Sequence, residues 1–258
     1  MGAGTGDLVG DATPTPATPF VIQVGGTLTS ASAGQQLVIE QRGGDLDFER
    51  VFAGADARLS IPSGSLLQQA VGTGIVADSL DIDASAAVVG TPTMFVEIRL
   101  DPDGDLRVVA PAGVHMRSAA DLNVELVDCD NGVVTLDVRG DAHIDQITAP
   151  NGIVSLFSDR RILDRRDAAV TPQPDGQSNI DANFAVLNAR TGLGTETNPF
   201  ETRLSRLEAS SLFGDIWLQN FGDLEIGNVS PQVGVAQPGR LLVSDHSRRF
   251  GQCSNKTD

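Results

Sequence analysis

Three aspartates in the middle of the chain, Asp121, Asp141 and Asp145, are spaced as neighbouring lengths of a folded-back polypeptide would space them, 20 residues separating the first two. Glycoside hydrolases work with carboxyl pairs roughly 5–10 Å apart, one protonating the leaving oxygen and the other acting as nucleophile or base. Polysaccharide cleavage is therefore the reaction these three would support. Two features argue against it: each aspartate sits in the setting of a corner residue, and no Arg or Lys in the same register is expected to complete a lyase site. A second cluster, "DPDGD", places Asp101, Asp103 and Asp105 in the alternating pattern of a calcium loop. The EF-hand pattern needs a bidentate Glu at its twelfth position, and the chain has Ala112 there. The expected structure is a tight solvated turn between strands ending at Leu100 and starting at Leu106, with calcium the single cofactor to consider.

The remaining chemistry-bearing residues are scattered. His115, His143 and His246 lack metal-ligand spacing. No nucleophile-elbow phrase occurs, and the glycine-rich "GAGTG" and "GVAQPG" lack the Lys-Ser/Thr of a phosphate loop. Cys129 and Cys253 are too few for a disulfide framework, and Cys129 reads as a small buried residue. The arginine clusters "DRRILDRRD" (159–167) and "HSRRF" are able to contact an anionic sugar or a protein; interleaved with Asp, the first reads as a solvated loop. A net charge of −16 and a pI near 4.4 exclude nucleic acid, which requires a basic stripe. No run approaches the roughly 18 apolar residues of a membrane span.

What would position such side chains is strand alternation. Short apolar/polar runs recur at Leu46/Phe48, Leu80/Ile82, Phe95 to Leu100, Leu122/Val124/Leu126 and Val134/Leu136/Val138, each bounded by Gly, Asp, Asn or Pro. The best helical candidate, "NPFETRLSRLEAS", has Phe200, Leu204 and Leu207 at helical spacing, but its flanks return to a two-residue alternation. Residues 121–140 set above 141–160 bring Val124 over Ile144, Val127 over Ile147, Cys129 over Ala149 and Asn131-Gly132 over Asn151-Gly152. Val133, Val134 and Leu136 then lie over Ile153, Val154 and Leu156 without a gap, and Val133 and Ile153 are expected to face the interior rather than solvent. A shorter copy starts at Asp105-Leu106-Arg107-Val108 and continues at Gly113-Val114.

A unit of about 20 residues cannot bury its apolar face alone, but stacked on its own copy it can. Strands would pair in parallel about 4.8 Å apart, with like side chains in columns down a bore. The chain is thus expected to be an all-β, right-handed, single-stranded parallel β-helix. The aliphatic composition fits, with aromatics at 4 % and no Tyr. "GDIWL" and "GDLEI", at 214–218 and 222–226, should be consecutive strands of one coil. Gly would supply a positive φ at each corner and Asp a side-chain cap, with Trp217 and Glu225 facing water.

From Ala149 to Val229 the chain resembles the passenger repeats of large bacterial surface proteins of the filamentous-haemagglutinin, haemolysin and adhesin type. The resemblance rests on an ordered series: Leu187-Asn188-Ala189, Gly192-Leu193-Gly194, Asn198-Pro199, Leu207-Glu208-Ala209 and Gly214-Asp215-Ile216-Trp217-Leu218. It implies a long β-helix exported and displayed outside the cell. Residues 1–20 read as a Thr/Pro-rich linker, 21–230 as the solenoid and 231–258 as an irregular polar tail, in which Leu241-Leu242-Val243 offers one more strand. The expected role is a non-catalytic structural or adhesive segment, with cell-surface glycans or proteins, or further copies, as partners. A carbohydrate-active β-helix enzyme using Asp121, Asp141 and Asp145 is the alternative. The N-terminus lacks the basic and apolar regions of a secretory signal, so an extracellular location implies a fragment of, or a chain encoded apart from, a longer protein.

Overall fold

The alternating runs form strands, and each strand finds its hydrogen-bond partners one coil away. In the computed structural model, which describes residues 8–10, 20–24, 27–72, 74–166 and 177–229, there are 24 strands and no helix among the described residues. Every strand pairing is parallel. The chain winds as a β-solenoid of about 10 turns. Among the described residues an antiparallel contact occurs only as the isolated bridge between Thr91 and Met94, a local turn.

The bore is built from columns. One runs Leu46, Leu66, Val89, Val114, Val134, Val154, Ala185, Leu207 and Ile226. Another runs Ile39, Leu59, Ile82, Val108, Val127, Ile147 and Ile180. Apart from Ile226 and Leu207, which is 3 % exposed, these residues are fully buried, and burying each aliphatic side chain contributes roughly 1.5–3 kcal/mol. Each layer supplies the apolar surface that its neighbours need, so a single coil has no core of its own. Ile226, in the last described coil, has a neighbour on one side and is 58 % exposed.

Two expectations about the interior need correction. Val133 and Ile153 stack in register as the repeat requires, but they are half-buried on the outer face. Alternation sends Val134, Leu136 and Val138 inward, and their neighbours one residue away must then point out. The bore is also not wholly aliphatic, since Phe48 and Phe200 are fully buried in it.

The period is not rigid. Val114, Val134 and Val154 follow at 20-residue intervals, but Ile147 pairs with Ile180 because extra chain is inserted after Asp164. The columns continue across this insertion, which falls between strands Arg161–Asp164 and Ile180–Ala189. "NPFETRLSRLEAS" forms strands Phe200–Arg203 and Arg206–Ser211, and a bend between them lets Phe200, Leu204 and Leu207 all reach the bore. Strand Leu8–Gly10, within the stretch read as a linker, pairs with residues 31–33. Residues 231–258, with Leu241-Leu242-Val243, His246 and Cys253, lie outside the described residues.

The twin phrases lie on one coil but are only partly strand: in the first, Ile216 makes an isolated bridge to Leu193 and Leu218 opens strand Leu218–Asn220, which pairs with residues 200–202; in the second, Glu225–Ile226 pairs with 206–207. Their glycines act differently. Gly222 has φ +104, as expected, whereas Gly214 is needed for close approach, because a Cβ there would lie 2.0 Å from the Thr191 carbonyl oxygen. Neither Asp215 nor Asp223 caps its turn through a side-chain hydrogen bond among the described residues; Ser211 Oγ accepts from the Gly214 amide instead.

Candidate functional site: the aspartate corner

Two of the three candidate carboxylates, Asp121 and Asp141, are consecutive rungs of one ladder at a corner of the solenoid; Asp145 lies at the next bend, beyond strand Ala142–Ile144. Asp121 Oδ1 accepts the amide of Asp141 at 2.8 Å, and Asp141 Oδ1 accepts the amide of Arg161 at 2.9 Å. Each carboxylate thereby supplies the acceptor that backbone geometry cannot supply where a strand ends and the chain turns. Asp45 does the same for Ser65, at the same 20-residue offset. The close fit depends on Gly140, where a Cβ would fall 2.0 Å from Asp121 Oδ1 and 2.5 Å from its amide nitrogen.

Arginines complete the corner. Arg161 does occupy the register of Asp121 and Asp141, contrary to expectation, and its Nη2 is 3.0 Å from Asp141 Oδ2. The Asp141 side chain is 9 % exposed. Burial pushes its carboxyl up, but hydrogen bonds from the Arg161 side chain and backbone and the charges of Arg161 and Arg160 outweigh this and hold it below the ordinary carboxylate range. Arg161 is raised correspondingly by its hydrogen bond to Asp141. Arg160 lies 3.9 Å from Asp121, while Arg165 and Arg166 reach Asp145 at 3.9 and 4.0 Å. The segment read as a solvated loop is thus the counter-charge to aspartates of the two preceding coils, and Arg161–Asp164 within it is a strand.

"DPDGD" is drawn into the same system. Arg165 Nη1 is 2.7 Å from Asp105 Oδ1. Asn123 ties the carbonyls of Pro102 and Gly104 from the next coil, at 2.9 and 3.2 Å. Gly104 donates to the Asp101 carbonyl in a tight turn. Asp101 and Asp103 point into solvent. Among the described residues, no group of three or more His, Cys, Asp or Glu side chains is arranged to hold a metal ion.

A depression of about 220 Å³ opens beside the corner, lined by Leu100, Pro102, Ala120, Asp121, Arg139, Gly140 and Arg160. Asp121 is the one candidate carboxylate on its wall; Asp141 turns to Arg161, and Asp145 lies beyond the lining. Arg139 bridges Asp137 and Asp159 at 3.4 and 3.3 Å. Asp81 likewise joins Arg58 and Arg107 at 3.6 and 2.9 Å. Stacked acids in a chain of net charge −16 would repel along the axis, and arginine's planar fork allows one cation to serve two carboxylates on different coils. The signal for this pairing was present in the sequence, since Arg160-Arg161 follows Gly140-Asp141 by one 20-residue period.

Elsewhere, Cys129 is a fully buried rung, its thiol pushed up chiefly by burial. His115 is pushed down by burial and packs edge-on against Phe95 at 6.1 Å. No helix among the described residues is long and apolar enough to cross a membrane. No family model, no curated protein and no solved structure matches the chain.

Proposed function

We propose that the chain is a non-catalytic structural and adhesive segment of a large cell-surface or secreted protein, of the kind its passenger-like phrases resemble. The observation that carries this reading is the use of the corner carboxylates. Asp121 and Asp141 cap the next coil, and Asp145 and Asp105 share the Arg165 guanidinium. Groups held as braces by fixed cations are poorly placed to exchange protons with a substrate. About 10 turns at about 4.8 Å each make a rod roughly 48 Å long. Its stiffness comes from parallel hydrogen bonds, and from ion pairs most of which cross from coil to coil. Such a rod holds a surface away from whatever anchors it, and its partners are glycans or proteins of another cell surface.

The test is incubation of purified protein with a panel of neutral and acidic polysaccharides, following chain length and retention on immobilised glycan or cell-surface protein. Retention without shortening, unchanged in Asp121→Asn, is expected. Depolymerisation that disappears in Asp121→Asn or Asp141→Asn would replace this reading with the carbohydrate-active one. Absence of retention on every surface would remove the adhesive part.

A further inference from the structure

One column of side chains faces away from the bore and is nevertheless buried. His115, Thr135, Ser155, Val186 and Glu208 stack in register on successive coils, and the residues on either side of each on its strand, such as Val134 and Leu136, fill the bore. Alternation therefore assigns the column to the outside. Their exposures are 8, 4, 0, 3 and 5 %. An ordinary outward column behaves otherwise: Val38, Arg58, Asp81 and Arg107, also in register, are all half-buried or exposed. His115 Nδ1 and Ser155 Oγ have no hydrogen-bond partner among the described residues. Buried polar atoms of this kind call for a partner.

The described chain ends on this column. Gly227 still donates to the Leu207 carbonyl at 2.8 Å, as a coil residue would. The backbone then turns through two left-handed residues, Gly227 at φ +102 and Asn228 at φ +61. Val229 leaves the coil, donates its amide to Glu208 Oε1 at 2.8 Å and is 1 % exposed. Residues 230–258 start from that point.

We propose that this outward face is the docking surface for the chain's own C-terminal segment, residues 230–258. Val229 delivers the segment to the last rung. From Glu208 to His115 is four inter-strand steps of about 4.8 Å, or about 19 Å, a distance that about six extended residues cover. Charge favours the match, because the segment carries Arg240, Arg248, Arg249 and Lys256 against Asp245 and Asp258, while the whole chain is −16. Its apolar run Leu241-Leu242-Val243 suits the half-buried Val133, Ile153, Phe157 and Phe184 that flank the column. A face covered in this way is withdrawn from external partners, which leaves the other faces of the rod to meet them.

Photo-crosslinking of the full chain tests this, with benzoylphenylalanine placed at Ile153 and adducts mapped by mass spectrometry. Links from monomeric protein into residues 230–258 are expected. Links between two chains, which would make a second copy the occupant, or links confined to the sheet itself, overturn the proposal. A chain ending at Val229 provides the second arm: its His115 should be modified by diethyl pyrocarbonate at least tenfold faster than in the full chain, and added peptide 230–258 should restore protection. Equal rates in the truncated and full chains would also overturn it. If the shortened chain does not fold, the crosslinking result decides alone.

Discussion

Replacing Asp141 separates a brace from a catalytic group. In Asp141→Ala the Arg161 amide loses its 2.9 Å acceptor and the Arg161 guanidinium loses its 3.0 Å partner. A hydrogen bond to a charged group contributes about 1.5–3 kcal/mol. The ion pair adds only about 0.2–1 kcal/mol, because the arginine is half exposed and solvent screens it. The expected loss is therefore about 2–4 kcal/mol, and Asp141→Asn, which keeps an acceptor for the amide, should lose about 1 kcal/mol. The pH dependence has a definite sign. The folded carboxyl is held below the ordinary range, so its contribution is complete above about pH 3.9 and is lost as pH falls through the lowered folded value. Urea unfolding of wild type and both variants at neutral pH and near pH 3 measures this, and amide exchange at Arg161 locates it, since solenoids open coil by coil. Equal stability of Asp141→Ala and wild type, or equal losses in the Ala and Asn variants, would refute the bracing argument.

Gly140→Ala should cost about 1–3 kcal/mol or more, because its Cβ would meet Asp121 backbone atoms at 2.5 and 2.8 Å; thermal unfolding reads this directly. Leu156→Ala, in the fully buried bore, should cost about 2–5 kcal/mol, whereas Ile226→Ala at the last coil should change stability by about 0.5 kcal/mol or less; comparable losses would mean the columns do not carry the fold. His115 is held below 6.5 by burial, so its contribution is complete above about pH 6.5 and falls as pH drops toward the folded value. His115→Gln should flatten that part of the stability profile, measured by urea unfolding between about pH 4.5 and 7.5.

The solenoid was legible because its cause is local and repeated. Asp121–Gly140 and Asp141–Arg160 are superimposable at a 20-residue interval, and the pairs they implied, Val124 with Ile144 and Val134 with Val154, are the pairs that form. Cys129 over Ala149 could be assigned to the bore for the same reason, and both are fully buried. Alternation along a single strand was less secure at corners, where one residue changes face: Val133 and Ile153 kept their register and lay outside.

The sequence by itself determined the stacking, since aliphatic residues at a fixed interval have one economical way to leave water. Only the tertiary structure decided what each polar corner does. Asp121, Asp141 and Arg161 share a register, but capping and ion pairing depend on ångström-scale approach at Gly140 and on which side of the strand end each carboxylate turns. The joining of Asp105 to Arg165 and the return of Val229 to Glu208 likewise link residues that no repeat relates. Periodicity specifies which residues are level with one another; the path of the backbone between levels decides which of them touch.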